Sequence, residues 1–61
     1  MQLLTLRQAA ERLQVSMSTI RRRVDEGEIP VVRIGRNIRV RPEDLEEYIE
    51  THVVEGLKAE A

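Results

Sequence analysis

At 61 residues the chain has room for one domain, and a chain this short buries only roughly 60% of the surface its unfolded form exposes, so no catalytic cleft and no enzyme is expected. It has no cysteine and one histidine, which leaves neither a disulfide staple nor a thiolate metal site and puts the burden of folding on an apolar core. The net charge of −1 conceals a division: residues 1–41 set nine arginines against four acids, a net +5, whereas residues 42–61 set Lys58 against seven acids, a net −6. A basic front half attracts a polyanion through its local field, whatever the total charge.

The opening residues, Met1 to Gln8, contain no long apolar run and reach an arginine at position 7. Neither a signal peptide nor a membrane span is therefore expected, and a cytoplasmic location is. Thr5-Leu6-Arg7-Gln8 has the form of a capping box, and Leu6, Ala9, Ala10 and Leu13 follow at helical spacing, which predicts a first helix over about residues 6–13. Gln14-Val15-Ser16 interrupts it. Ser16 then caps a second helix with Met17, Ile20 and Val24 on its inner face, and Gly27 closes that helix from outside. Two short helices joined by about three residues have the spacing of a helix-turn-helix unit, whose second helix is the reader.

After Gly27 the period changes. Val32, Ile34, Ile38 and Val40 alternate with Arg33, Arg39 and Arg41, which predicts two strands with a buried face and an arginine-lined face, joined by a turn at Gly35-Arg36-Asn37. This hairpin is the expected wing. Pro42 and the acids Glu43 and Asp44 open a third helix, with Leu45, Tyr48 and Ile49 as its core stripe and its acids as a solvated face. The expected architecture is thus α+β, a small winged helix-turn-helix over residues 1–52, followed by a tail at 53–61 that frays or docks a protein through Val53, Val54 and Leu57.

On the second helix, Ser18, Thr19, Arg22 and Glu26 face away from the core at about 100° per residue, with Arg23 on one flank and Arg21 nearer the core edge. Arg22 is the expected base reader, because a guanidinium can bridge guanine O6 and N7. Arg21 and Arg23 are expected on phosphates, with Ser16, Ser18 and Thr19 at the helix N-terminus. Arg36 and Asn37 at the hairpin tip suit the adjacent minor groove, with Arg39 beside them. The alternative is that Arg21 to Arg23 form a solvated face balanced by Asp25, Glu26 and Glu28. Arg33, Arg36, Arg39 and Arg41 weigh against it, since like charges crowded on one hairpin face call for an anion. Tyr48 is the single aromatic, so stacking platforms for single strands or RNA are nearly absent and duplex DNA is the expected nucleic acid. His52 has no second His or Cys to complete a metal site, and no cofactor is expected.

The strings Leu4 to Ser16, Thr19 to Val24 and Glu28 to Arg36 resemble the excisionase family of small winged-helix proteins, and also the DNA-binding part of MerR-type regulators. The resemblance covers about residues 3–50. It implies a helix in the major groove carrying Thr19, Arg22 and Arg23, and a wing on the minor groove carrying Arg36, Asn37 and Arg39. For excisionases it further implies a recombination directionality factor that bends DNA and helps an integrase excise a prophage. Arg23 stands where many relatives have a tryptophan or leucine, and no counterpart of the long dimerisation helix of MerR-type regulators, and so no autonomous ligand sensing, is expected. The charge division suggests head-to-tail self-association on DNA, the acidic third helix of one protomer against the basic wing of the next. A small transcriptional regulator is the alternative within the fold, and an adaptor docking on an acidic protein is the alternative outside it.

Overall fold

The structure is a computed structural model in which residues 2–54 are described. Its elements are β1 (Leu4–Thr5), α1 (Leu6–Leu13), α2 (Met17–Asp25), β2 (Val32–Ile34), β3 (Asn37–Val40) and α3 (Pro42–Thr51). The strands form one antiparallel sheet in the order β1-β3-β2. This is a small α+β winged helix-turn-helix. Leu57 and the end of the expected docking tail lie outside the described residues.

The expected capping box is present at the start of α1: Gln8 N–H donates to Thr5 Oγ1 at 3.0 Å, and Thr5 N–H donates to Gln8 Oε1 at 2.9 Å. α1 ends where Gln14 takes the left-handed conformation (φ 58°, ψ 45°), so that Val15 N–H donates to Ala10 O at 3.0 Å and Gln14 N–H to Glu11 O at 3.1 Å. This is the Schellman pattern, and it reverses the chain into α2 without a glycine. Ser16 caps α2 through Thr19 N–H at 3.2 Å. At the far end of α2 the same pattern recurs with Gly27 at φ 79°: Glu28 N–H donates to Arg23 O and Gly27 N–H to Val24 O, both at 3.0 Å.

The core gathers Leu4, Ala9, Ala10, Ile20, Ile29, Val40 and Leu45, with Leu6, Leu13, Met17, Val24 and Tyr48 packed around it. The small side chains of Ala9 and Ala10 leave room for α2 to approach α1 and seat Ile20. Ile20, Ile29 and Val40 are fully buried, and each stabilises the fold by about 1.5–3 kcal/mol.

Four expectations need correction. β1 adds a third strand, placing Leu4 opposite Val40; two residues are too few to show alternation. Ile49 is 44% exposed, because on α3 the buried direction runs through Asp44, Leu45 and Tyr48, about 90° away from Ile49 at 100° per residue. Asp44 is not on a solvated face: it is buried and receives Arg41 Nε at 2.6 Å and Nη2 at 2.9 Å. Arg41 is accordingly the N-cap residue of α3 and not a member of the hairpin face.

The fourth correction concerns hairpin register. The turn has two residues, Gly35 and Arg36, and Ile34 pairs with Asn37, Arg33 with Ile38 and Val32 with Arg39. Directly opposed residues share a face, so Val32, Ile34, Asn37 and Arg39 lie on one side and Arg33, Ile38 and Val40 on the other. A three-residue turn would have opposed Ile34 to Ile38 and kept every aliphatic residue together; the one-residue difference turns β2 over. No arginine faces another directly across the strands, and Ile34 is 54% exposed.

Candidate nucleic-acid interface

α2 carries one continuous exposed surface because its apolar residues are few and confined to one side. Ile20 is fully buried and Met17 and Val24 are half-buried, while Ser18, Arg21, Arg22, Asp25 and Glu26 are exposed. Thr19 and Arg23 are half-buried at the margins. Arg22 thus stands on the side expected for a base reader, and Arg21 is further from the core edge than its sequence position suggested.

The arginines divide by what already holds them. Arg23 Nη1 lies 3.4 Å from Glu26 Oε1 and 3.7 Å from Glu28 Oε2. The Schellman turn is the cause, since it folds residue 28 back over residue 23, where an apolar contact usually sits. Arg39 donates from Nη1 to the carbonyl of Ile38 at 3.0 Å. Arg41 is fixed by the two-pronged contact with Asp44, with Glu43 at 4.0 Å. Its pKa is raised, first by the hydrogen bonds to Asp44 and then by the attraction of that charge, with a smaller part from Glu43. Arg7 and Arg12 on α1 are exposed and enter no ion pair with any described residue, and the same holds on α2 and the hairpin for Arg21, Arg22, Arg33 and Arg36. These six guanidinium groups are available to an outside anion.

The remaining expected contacts fall as follows. Ser16 Oγ accepts from Thr19 N–H and donates to Thr19 Oγ1 at 3.0 Å, so both hydroxyls are engaged with each other at the helix start. Ser18 is exposed beside them. Arg36 occupies the hairpin tip after Gly35, whose φ of 62° fits the first central position of a type II′ turn. Asn37 belongs to β3 and does not adopt positive φ. The balancing role considered for Glu26 and Glu28 holds for Arg23 alone. The signal that could have shown this is Gly27, because a glycine closing a helix implies the fold-back that joins positions 23 and 28.

His52 stacks on Tyr48 with ring centroids 4.0 Å apart, and its Nδ1 lies 2.8 Å from Tyr48 O. Its Nε2 is 3.6 Å from Glu28 Oε1, so Glu28 links the end of α2 to the end of α3. The described residues include no helix long and apolar enough to cross a membrane.

A helix-turn-helix presented with a hairpin and a set of free arginines defines the class, and residues 3–53 match the model of the family described as "Helix-turn-helix domain". The chain belongs to that family. It is similar to two proteins of Mycobacterium tuberculosis, "Putative DNA-binding protein MT0521" of strain CDC 1551 / Oshkosh and "Putative DNA-binding protein Rv0500A" of strain ATCC 25618 / H37Rv. Each is 42% identical over 50 residues, which cover 82% of this chain and 64% of the relative. The chain therefore spans slightly less than two thirds of their length. No solved structure matches it.

Proposed function

We propose that this chain is a non-enzymatic, sequence-specific binder of double-stranded DNA. The observation that carries this reading is that, of the six exposed arginines without an acidic partner among the described residues, four stand on α2 and the hairpin, two on each. Membership of the helix-turn-helix family and the names of the two mycobacterial relatives support it. In this reading α2 enters the major groove, with Arg22 on a guanine and Arg21 on phosphate, while Ser16, Ser18 and Thr19 approach the backbone at the helix start. The wing offers Arg36 to the adjacent minor groove, flanked by Asn37 and Arg39. Arg23 joins on phosphate only by exchanging Glu26 and Glu28 for it.

At the finer level the module acts as an excisionase, a recombination directionality factor that bends DNA for an integrase. One module of this size buries only about 600–1,000 Å² of protein surface on DNA. Adjacent copies add the rest, the acidic outer side of α3 facing the wing of the next copy. A mobility-shift titration on duplexes from the gene's own neighbourhood tests this. Stepwise shifts that weaken with Arg22→Ala and with Arg36→Ala are expected. Absence of a shift on every duplex would overturn DNA binding, and a single shift without concentration-dependent bending would overturn the excisionase role alone.

A further inference from the structure

Asp25 is the one residue on the exposed side of α2 whose chemistry neither the fold nor the proposed interface uses. It is exposed and enters no ion pair with a described residue, although Glu26 and Glu28 on either side of Gly27 both reach Arg23. It is also the last residue of α2, where the negative end of the helix dipole disfavours an acid. Arg21 precedes it by four residues, which is the weaker order for a helical ion pair, and the two are not paired. Folding gains nothing from a carboxylate here.

Geometry places it on the exposed side of α2 that carries Ser18 and the proposed base reader Arg22. Asp25 follows Ser18 by seven residues, so the two lie within about 20° of one another around the helix and about 10 Å apart along it. That length matches about three base-pair steps of 3.4 Å. Arg22 lies between them, about 60° from Asp25 and one turn short of it. A carboxylate carried into this position is repelled by phosphates on both sides of the groove. The major groove offers two amine donors, cytosine N4 and adenine N6, and the cytosine amine suits a carboxylate better, because adenine sets its N7 acceptor beside N6 against the second carboxylate oxygen.

We propose that Asp25 is a specificity-determining residue, accepting a hydrogen bond from cytosine N4 close to the base pair that Arg22 reads and rejecting duplexes that lack cytosine at that position. The inference rests on the DNA-binding reading and adds a repulsive element to it. Discrimination then comes from two sources: the bond gained on cytosine, and the repulsion of the carboxylate by the acceptors that guanine, thymine and adenine N7 present.

Selection of duplexes from a randomised pool, with wild type, Asp25→Asn and Asp25→Ala, provides the test. An asparagine pairs with adenine N6 and N7, so Asp25→Asn moves the preference at one position from cytosine to adenine and leaves the others intact. Asp25→Ala removes preference at that position, a loss of roughly five- to 150-fold in discrimination, and binds mismatched duplexes more tightly than wild type does. Both changes remove an acid from the last turn of a helix, so helix content by circular dichroism is retained. If wild type selects a sequence and both variants reproduce its preference at every position, Asp25 is only a solvated helix end and the proposal fails alone. If wild type retains no duplex, DNA binding fails and this proposal with it.

Discussion

Gln14 makes the turn between α1 and α2 in a conformation that costs it energy, and replacing it with glycine should stabilise the protein. Its φ of 58° and ψ of 45° lie in the left-handed region, where a residue with a Cβ is roughly 1–2 kcal/mol worse than in the right-handed one. Glycine removes that strain but enters folding from a more disordered unfolded chain, at a cost of roughly 0.5–1 kcal/mol. The balance is a gain of roughly 0.5–1 kcal/mol. An unfolding entropy of about 2.1 cal/mol/K per residue converts this to a rise of roughly 4–8 °C in Tm for a chain of 61 residues. The mirror experiment is Gly27→Ala. Gly27 has φ 79° and an added Cβ would meet nothing within 4 Å, so the loss is backbone strain alone and Tm should fall by a comparable amount. Differential scanning calorimetry on the two variants reads both signs directly. A fall in Tm for Gln14→Gly would refute the reasoning, since it would mean that the Gln14 side chain holds the turn by something other than its backbone conformation.

Ile29→Ala should cost about 2–5 kcal/mol, a large part of the roughly 3–9 kcal/mol that a chain of this length can be expected to have, and urea titration should find it largely unfolded. Asp44→Asn should lower Tm by leaving Arg41 without its two-pronged acceptor. The raised pKa of Arg41 means that folding favours its protonated form, so that contribution is complete below its ordinary pKa and is lost only in strong alkali. The difference between wild type and Asp44→Asn should therefore be constant across the neutral range, and a difference that vanishes there would oppose the assignment. If each of the four free arginines of α2 and the hairpin, whether on phosphate or within a groove, releases one condensed counterion, the logarithm of DNA affinity should fall against the logarithm of salt concentration with a slope of roughly −3.6, and Arg36→Ala should reduce that slope by roughly 0.9. Arg23→Ala should change it less, because Glu26 and Glu28 already oppose that charge; an equal change would mean the acids release it on DNA.

The helices were legible in the sequence because their boundaries depend on local chemistry. Thr5 and Gln8 form a reciprocal cap within four residues, Ser16 caps α2, and Pro42 sets the start of α3, so each end is specified by residues that meet before any tertiary contact does. Ile29 and Leu4 were harder. Each belongs to a segment too short to show a period, and each is buried by elements distant in sequence: Leu4 by its pairing with Val40, and Ile29 by the core cluster on which the loop after α2 folds down. Arg23, Arg41 and Asp44 show the same limit in the candidate interface. A run of arginines reads as free charge, and only the backbone reversal at Gly27 and the N-terminal turn of α3 show which members are occupied.

The hairpin exposes the sharpest case, because period-2 alternation within each strand was correct and the relation between the strands was not. Both strands alternate, so the face shared by Val32 and Ile34 with Ile38 and Val40 depends entirely on whether the turn has two residues or three. Gly35 decides it. Its positive φ at the first central position closes a two-residue turn whose twist matches that of the strands, whereas a three-residue turn ends on a residue in the left-handed region, and Asn37 is not in it. The outcome suits the proposed placement better than the expected one. An arginine face on one side only would meet a single phosphate strand, but with Arg33 and Arg39 on opposite faces and Arg36 at the tip, the hairpin would carry positive charge toward both walls of a groove in the proposed placement. The exposed Ile34 follows from the same register, and beside Arg36 it gives the wing an apolar side chain near its tip that the simple alternation would have hidden in the core.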